Sequence, residues 1–182
     1  MSQEVIDRVT ALIGQFDQRV QAASTDDWSK QSPCADWTAR DVVVHVANNF
    51  RNLSAGLTGT EATQVAPDDD IVAAWNQSRD QFLDALSNGD LSTSMPGPMG
   101  PMPAEQMIGR IISTDILVHT WDLARAIGAD ESLDPRAVEG AYSGLKPMDA
   151  MIRRPGVFGP KVDSAPGVDT QTEFLNFLGR VV

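Results

Sequence analysis

Residues 38–57, TARDVVVHVANNFRNLSAGL, carry a helix start and a helix interior in one stretch. The Thr38 hydroxyl can accept from the backbone N–H three residues on, and Asp41 at that position is the short-armed partner of a capping box. Trp37 and Val42 hold the positions of a hydrophobic staple. Val42, Val46, Phe50, Leu53 and Leu57 then recur at intervals of three and four, which predicts a helix over 39–57 with one apolar face. A polar stripe of Asp41, His45, Asn49 and Asn52 runs beside that face.

The same periodicity extends outward in both directions. Val5, Val9, Leu12, Ile13, Phe16 and Val20 predict an amphipathic helix over 4–22, followed by a polar connection from Ser24 to Asp36. Pro67 and the acids Asp68, Asp69 and Asp70 read as a loop whose charges favour the positive end of a helix dipole. The helix they introduce runs through Ile71, Trp75, Ser78, Phe82 and Leu86 to Asn88-Gly89. The segment 94–103, SMPGPMGPMP, has too many prolines for a helix and reads as a loop packed on the helices or a lid. A fourth helix is expected over 104–127, with Ile108, Ile112, Ile116, Leu123 and Ile127 as its apolar stripe and Gly128 as its C-cap. Asp134-Pro135 opens a shorter fifth helix to about 150, and TEFLNFLG, 172–179, lies in a last short one. No strand-like alternation is long enough to build a sheet. The expected architecture is all-α, an antiparallel four-helix bundle over about 4–150 with a C-terminal extension over 151–182, in a single domain.

Composition narrows the function classes. With 182 residues the chain suits one ordinary domain, and 42% hydrophobic against 21% charged residues excludes a disordered polymer. A net charge of -11 disfavours nucleic acid, whose phosphates are held by clustered Lys and Arg. One cysteine excludes an internal disulfide and cysteine-rich zinc sites. No apolar run has membrane-spanning length, and the first residues do not read as a signal peptide, so a cytoplasmic protein is expected.

The two histidines of the chain both fall inside helices, in DVVVHVANN and in DILVHTWD. Asp115 and His119 are four apart, hence about 40° apart around the fourth helix and on one face. His45 flanks the apolar stripe of the second helix and can face the fourth across the bundle. Two imidazoles and one carboxylate on facing helices make three ligands for a divalent ion, with positions left open for water or substrate. The spacing equally suits a core histidine hydrogen-bonded to an aspartate, with His45 unrelated. Asp122 lies one turn beyond His119, where it can hold an imidazole proton as outer partner or act as a base, or pair with Arg125 or Arg110. Asn49 is one turn from His45 and is a candidate ligand contact. Trp37 and Trp121 read as packing residues. Cys34 precedes a helix start, has no partner cysteine and no histidine near it in sequence, and reads as structural.

SPCADWTARDVVVHVANN (32–49) and STDILVHTWDLARAIG (113–128) resemble the two signature segments of the mycothiol-dependent maleylpyruvate isomerase-like family, within the DinB/YfiT-like metalloenzyme superfamily. The closing FLGR, 177–180, is similar to the ending of single-domain members. The resemblance implies an up-down-down-up four-helix bundle holding a divalent ion, zinc or nickel, on His45, Asp115 and His119. In the isomerase the first of the spaced pair is a glutamate, one methylene longer than Asp115. The isomerase also carries a C-terminal domain that helps form its substrate site, whereas only about thirty residues follow the expected bundle here.

The function expected from this resemblance is that of a metal-dependent S-transferase or isomerase. The ion activates a low-molecular-weight thiol, mycothiol where the organism uses it, for addition to a small electrophile; a hydrolytic variant would use water. The expected partners are that thiol and that electrophile, with a homodimer admitted and neither nucleic acid nor membrane. The alternatives are a non-catalytic metal- or ligand-binding sensor, and a bundle with no ion.

Overall fold

The computed structural model describes residues 3–97, 100–153 and 157–182. The fold is all-α apart from one short hairpin, and the chain divides into two compact units, Met1–Asp130 and Glu131–Val182. The division falls before the bundle end read from the sequence, near residue 150. Among the described residues no helix is long and apolar enough to cross a membrane.

The first unit is framed by α1 (Gln3–Ala22), α2 (Ala39–Thr58), α3 (Ile71–Asn88) and α5 (Ser113–Ile127). These four pack in a ring: α2 lies against α3 and α5, and α1 closes the circuit by touching both α3 and α5. The ring follows from the stripes. Val9, Leu12, Ile13, Phe16 and Val20 of α1 and Val42, Val46, Phe50 and Leu53 of α2 are buried, with Trp75, Phe82 and Leu86 of α3 between them. Trp75 stands with its ring centroid 4.8 Å from Phe16 and 5.5 Å from Phe50, and Phe50 stacks on Phe82 at 4.4 Å. The helices begin and end where local chemistry says. Thr38 and Asp41 form the reciprocal capping box, Asp70 accepts from the Ala73 N–H, and Gly59 and Gly128 take the left-handed conformation that ends α2 and α5.

Two segments of the first unit depart from the sequence expectation. Residues 94–103 are not a plain loop. Ser94–Gly97 (β1) and Gly100–Pro103 (β2) pair antiparallel, a two-stranded ribbon that tolerates its prolines because neither strand is central; Pro98 and Met99 between them lie outside the described residues. Its Met95 is buried against α2, where a Cβ on Gly56 would collide with the Met95 Cε. That anchor lies eleven residues, about 16 Å along the helix, from His45.

The second departure is in the expected fourth helix, which is not uniform. A single α-turn (α4, Ala104–Gln106) passes into a π-helical stretch, Met107–Ile112, before α5 begins. The wider turn leaves the Ile108 carbonyl five residues from its partner, and the Ser113 hydroxyl donates to it at 2.9 Å. Ile108, Ile112 and Ile116, spaced strictly by four, all stay buried through the stretch, as that winding requires.

The second unit holds α6 (Pro135–Leu145), a 3₁₀ turn at Lys146–Met148, α7 (Asp149–Ile152) and α8 (Thr170–Phe177). Pro147 has no N–H to continue α6, so the expected fifth helix is interrupted rather than running straight to 150. Tyr142 of α6 packs on Phe174 and Phe177 of α8 at 6.1 and 5.4 Å.

Asp17, at the rim of the aromatic core, ties α1 to α3 by accepting from the Trp75 indole at 2.8 Å and from Arg79 at 2.6 Å. Burial pushes its carboxyl pKa up, but hydrogen bonds from Trp75, Gln21 and Arg79 outweigh that and hold it below its ordinary value. A folded-state pKa below the unfolded value, about 3.9, means that Asp17 stabilises the fold fully above that pH. The contribution is lost as pH falls through the folded value. Urea unfolding of wild type and Asp17→Asn should therefore differ most at pH 6–7 and converge as pH falls below the ordinary carboxylate range; a difference that persists undiminished at low pH would contradict the assignment.

Candidate metal centre

The site lies in the first unit, between α2 and α5, roofed by the turn that precedes α2. His45 and Asn49 sit one turn apart on α2, and Asp115, His119 and Asp122 follow one another down one face of α5. The structure brings His45, Asp115 and His119 together: the ligand atoms of the three lie within 4.8 Å of one another. His45 Nε2 is 3.2 Å from Asp115 Oδ1, and His119 Nε2 is 3.4 Å from the same oxygen. The Asn49 amide nitrogen is 3.1 Å from both His45 Nε2 and Asp115 Oδ2. On the far side of the second imidazole, His119 Nδ1 is 2.9 Å from Asp122 Oδ2.

Burial is graded across the group. Asp122 is 0% exposed and His119 is 8% exposed, while His45 and Asp115 keep a partly open edge. Burial alone would raise the Asp115 pKa, but the charge of His119 and hydrogen bonds from both histidines hold the carboxyl well below the usual carboxylate range. Burial likewise works against a charged His119, and the Asp115 charge with hydrogen bonds to Asp115, Asp122 and Cys34 overcomes it, so its pKa lies well above the ordinary imidazole value.

Two residues read as packing or structural groups from the sequence stand at this site. The turn from Gln31 to Thr38 is closed by an isolated bridge between those two residues and by the Ser32 N–H bonding the Trp37 carbonyl at 2.9 Å. Asp36 takes a left-handed φ of 62° in it, a conformation Asp tolerates better than most side chains. The turn lays the Trp37 ring over the imidazoles, 4.9 Å from His45 and 5.7 Å from His119. It also sets the Cys34 thiol 3.2 Å from Asp122 Oδ2, so a second donor group, Cys34, His119 and Asp122, shares His119 with the first. The pairings span 88 residues of sequence for Cys34 and Asp122, and no local pattern signals them. Trp121, by contrast, is fully buried core.

The family model described as the mycothiol maleylpyruvate isomerase N-terminal domain matches residues 9–124, well over half of the chain and every residue of the site. The chain belongs to the mycothiol maleylpyruvate isomerase N-terminal domain family. Two members of the curated set align with it, both uncharacterized proteins of Mycobacterium tuberculosis, from strains CDC 1551 / Oshkosh and ATCC 25618 / H37Rv. Each is 28% identical over 161 residues, covering 86% of this chain and 87% of the relative. Among solved structures, the mycothiol-dependent maleylpyruvate isomerase superposes with a TM-score of 0.63 at 16% identity, over 79% of this chain and 68% of that one. A histidine-to-alanine mutant of that isomerase gives a TM-score of 0.62 at 13% identity, over 87% and 73%. At these identities the structural likeness establishes the fold that this isomerase-family domain shares.

The donor set fits a divalent ion. A tetrahedral ion with ligand bonds of about 2.0–2.1 Å sets its ligand atoms about 3.3 Å apart, which the separations of 3.2 and 3.4 Å bracket. The hydrogen-bond roles point the same way. If Asn49 donates to His45 Nε2, that nitrogen presents a lone pair to the Asp115 oxygen; if Nε2 is protonated, it faces an amide N–H. Either tautomer leaves one opposed contact, which a cation between the lone pairs removes.

Proposed function

We propose that the chain is a metal-dependent, thiol-using enzyme in which His45, Asp115 and His119 hold one divalent ion, zinc or nickel. The observation that carries this reading is the convergence of two imidazole nitrogens on one Asp115 oxygen at ion-ligand spacing. When bound, the ion supplies Lewis-acid polarisation that lowers the pKa of a thiol brought to it, so that the thiolate is available near neutral pH. The family supports a mycothiol-type thiol, and the acceptor is a small electrophile that undergoes S-transfer or isomerisation.

The chain's own residues have separable tasks. His45 and His119 offer neutral Nε2 lone pairs, and Asp115 supplies the negative charge that offsets a dication. Asp122 fixes the tautomer of His119 by accepting from Nδ1. Asn49 holds Asp115 and His45 in register by lying against both. Trp37 covers the imidazole edges and keeps water from that side of the site. The half-open edge at His45 and Asp115 is where thiol and electrophile would enter.

The test is a thiol-consumption assay with mycothiol and a panel of electrophiles, maleylpyruvate among them, run on zinc- and nickel-loaded protein. Accelerated conjugation or isomerisation that is lost on chelation is the expected result. Tight thiol binding with no turnover across the panel would sink the enzyme reading and leave a thiol-binding sensor.

A further inference from the structure

Cys34 is read from the sequence as structural, yet the structure sets it behind the imidazole that reaches deepest into the site. Asp122 Oδ2 accepts from the His119 Nδ1–H at 2.9 Å and from the Cys34 S–H at 3.2 Å. Asp122 is 0% exposed, and a carboxylate withdrawn from water is stable only when hydrogen-bond donors surround it. The thiol is itself held in place. The Ser32 hydroxyl accepts from the Cys34 N–H at 3.2 Å, and the Cys34 carbonyl accepts from the Trp37 N–H at 3.2 Å and the Gln31 amide at 3.1 Å. The same closed turn therefore positions both the sulfur behind Asp122 and the Trp37 ring over His119.

We infer that Cys34 is a positioning residue of the metal centre, whose thiol orients the Asp122 carboxylate so that His119 keeps its proton on Nδ1 and presents Nε2 to Asp115 and His45. The inference rests on the proposed metal site, and the chain of contacts runs Cys34 Sγ–H to Asp122 Oδ2 to His119 Nδ1–H. The sulfur stands on the Nδ1 side of the imidazole, away from Asp115, where it bears on His119 through Asp122 and by its own contact with the ring, and not as a ligand of the same ion. Removing an outer partner of a metal-binding histidine typically weakens metal affinity by about 10- to 100-fold. A hydroxyl in place of the thiol keeps a donor at that point, whereas a methyl does not.

The experiment compares wild type, Cys34→Ala and Cys34→Ser by cobalt(II) titration followed in the visible spectrum, and by imidazole ¹⁵N chemical shifts of the protein before cobalt is added. Cys34→Ala is expected to bind cobalt measurably more weakly, by less than the loss of Asp122 itself would cost, and to shift the His119 Nδ1 and Nε2 signals. Cys34→Ser should stay close to wild type in both measurements. The wild-type cobalt adduct should show no thiolate-to-cobalt charge-transfer band. Equal affinity and unchanged imidazole signals in Cys34→Ala would overturn the inference, because a space-filling role predicts neither change. A charge-transfer band lost in Cys34→Ser would also overturn it, by making the sulfur a ligand. Should wild type fail to bind cobalt, the proposed function fails, and the imidazole shifts alone still decide whether Cys34 sets the hydrogen bonding of the His119 ring.

Discussion

Wild-type protein loaded with excess zinc or nickel and then desalted should retain about one ion per chain, whereas His45→Ala and His119→Ala should each retain none. The chain has two histidines, both at the site, and a single cysteine whose thiol lies behind Asp122. The ion thus has no spare imidazole to recruit when one is removed. Losing a direct ligand should cost more than the roughly 10- to 100-fold that loss of an outer partner costs, which places the variants beyond retention on a desalting column. Asp115→Asn should fall with them, since it leaves two neutral imidazoles facing an amide and removes the charge that balances the cation. Ligand atoms must be deprotonated to bind, so ion retention in wild type should also fall as pH drops. The measurement is elemental analysis beside circular dichroism. His45 and Asp115 keep an open edge and lie outside the aromatic core, so His45→Ala and Asp115→Asn should remain helical, and the dichroism decides it for the buried His119. Stoichiometric metal in folded His119→Ala would dismantle the assignment, as would wild type that takes up no ion under any loading condition.

The fold was legible wherever its causes are local. The Thr38–Asp41 box, the Asp70 and Asp134 caps and the left-handed Gly59 and Gly128 each act within one turn of helix, and a single sequence displays them. The apolar stripes told which face is buried because burial repeats with the helix period. The strand pairing over Ser94–Gly97 and Gly100–Pro103 is not legible because proline-rich strands lack alternation, and its Met95 packs on Gly56 of α2, far away in sequence. The π-helical stretch was missed because nothing in the side chains of Met107–Ile112 contradicts an α-helix. At the site, the i, i+4 spacing made Asp115 and His119 readable as a pair, and Asp122 one turn on as a partner. What could not be read was the turn from Gln31 to Thr38, since the polar composition that marks it as a connection says nothing of where it folds back. Cys34 and Trp37 sit within four residues of Thr38, the cap of a helix whose first inward polar side chain is His45. That arrangement places the connection at the same end of α2 as the histidine.

The largest expected loss of stability comes from Trp75→Ala. Trp75 is fully buried, its ring lies between Phe16 of α1 and Phe50 of α2, and its indole N–H binds Asp17. Replacing it with alanine removes the side chain that joins three of the four frame helices and leaves a void that the surrounding rings fill only in part. Substitutions of this class cost about 3–5 kcal/mol, against a total of about 5–15 kcal/mol for an ordinary domain. The variant should therefore unfold at markedly lower urea concentration with an unchanged slope, the sign that the native contacts changed and the exposed surface did not. Trp75→Phe separates the two contributions, because it retains most of the apolar volume and loses the hydrogen bond to Asp17, a loss of about 1 kcal/mol. That variant should also lose part of the pH sensitivity assigned to Asp17, since one of the groups lowering the carboxyl pKa is gone. Its metal content per folded chain should match wild type, because the proposed metal ligands belong to α2 and α5 and Trp75 belongs to α3. A loss below about 1 kcal/mol for Trp75→Ala would mean that the four-helix frame does not depend on this aromatic stack. A simultaneous loss of metal in Trp75→Phe would mean that the core and the site are not independent parts of the first unit.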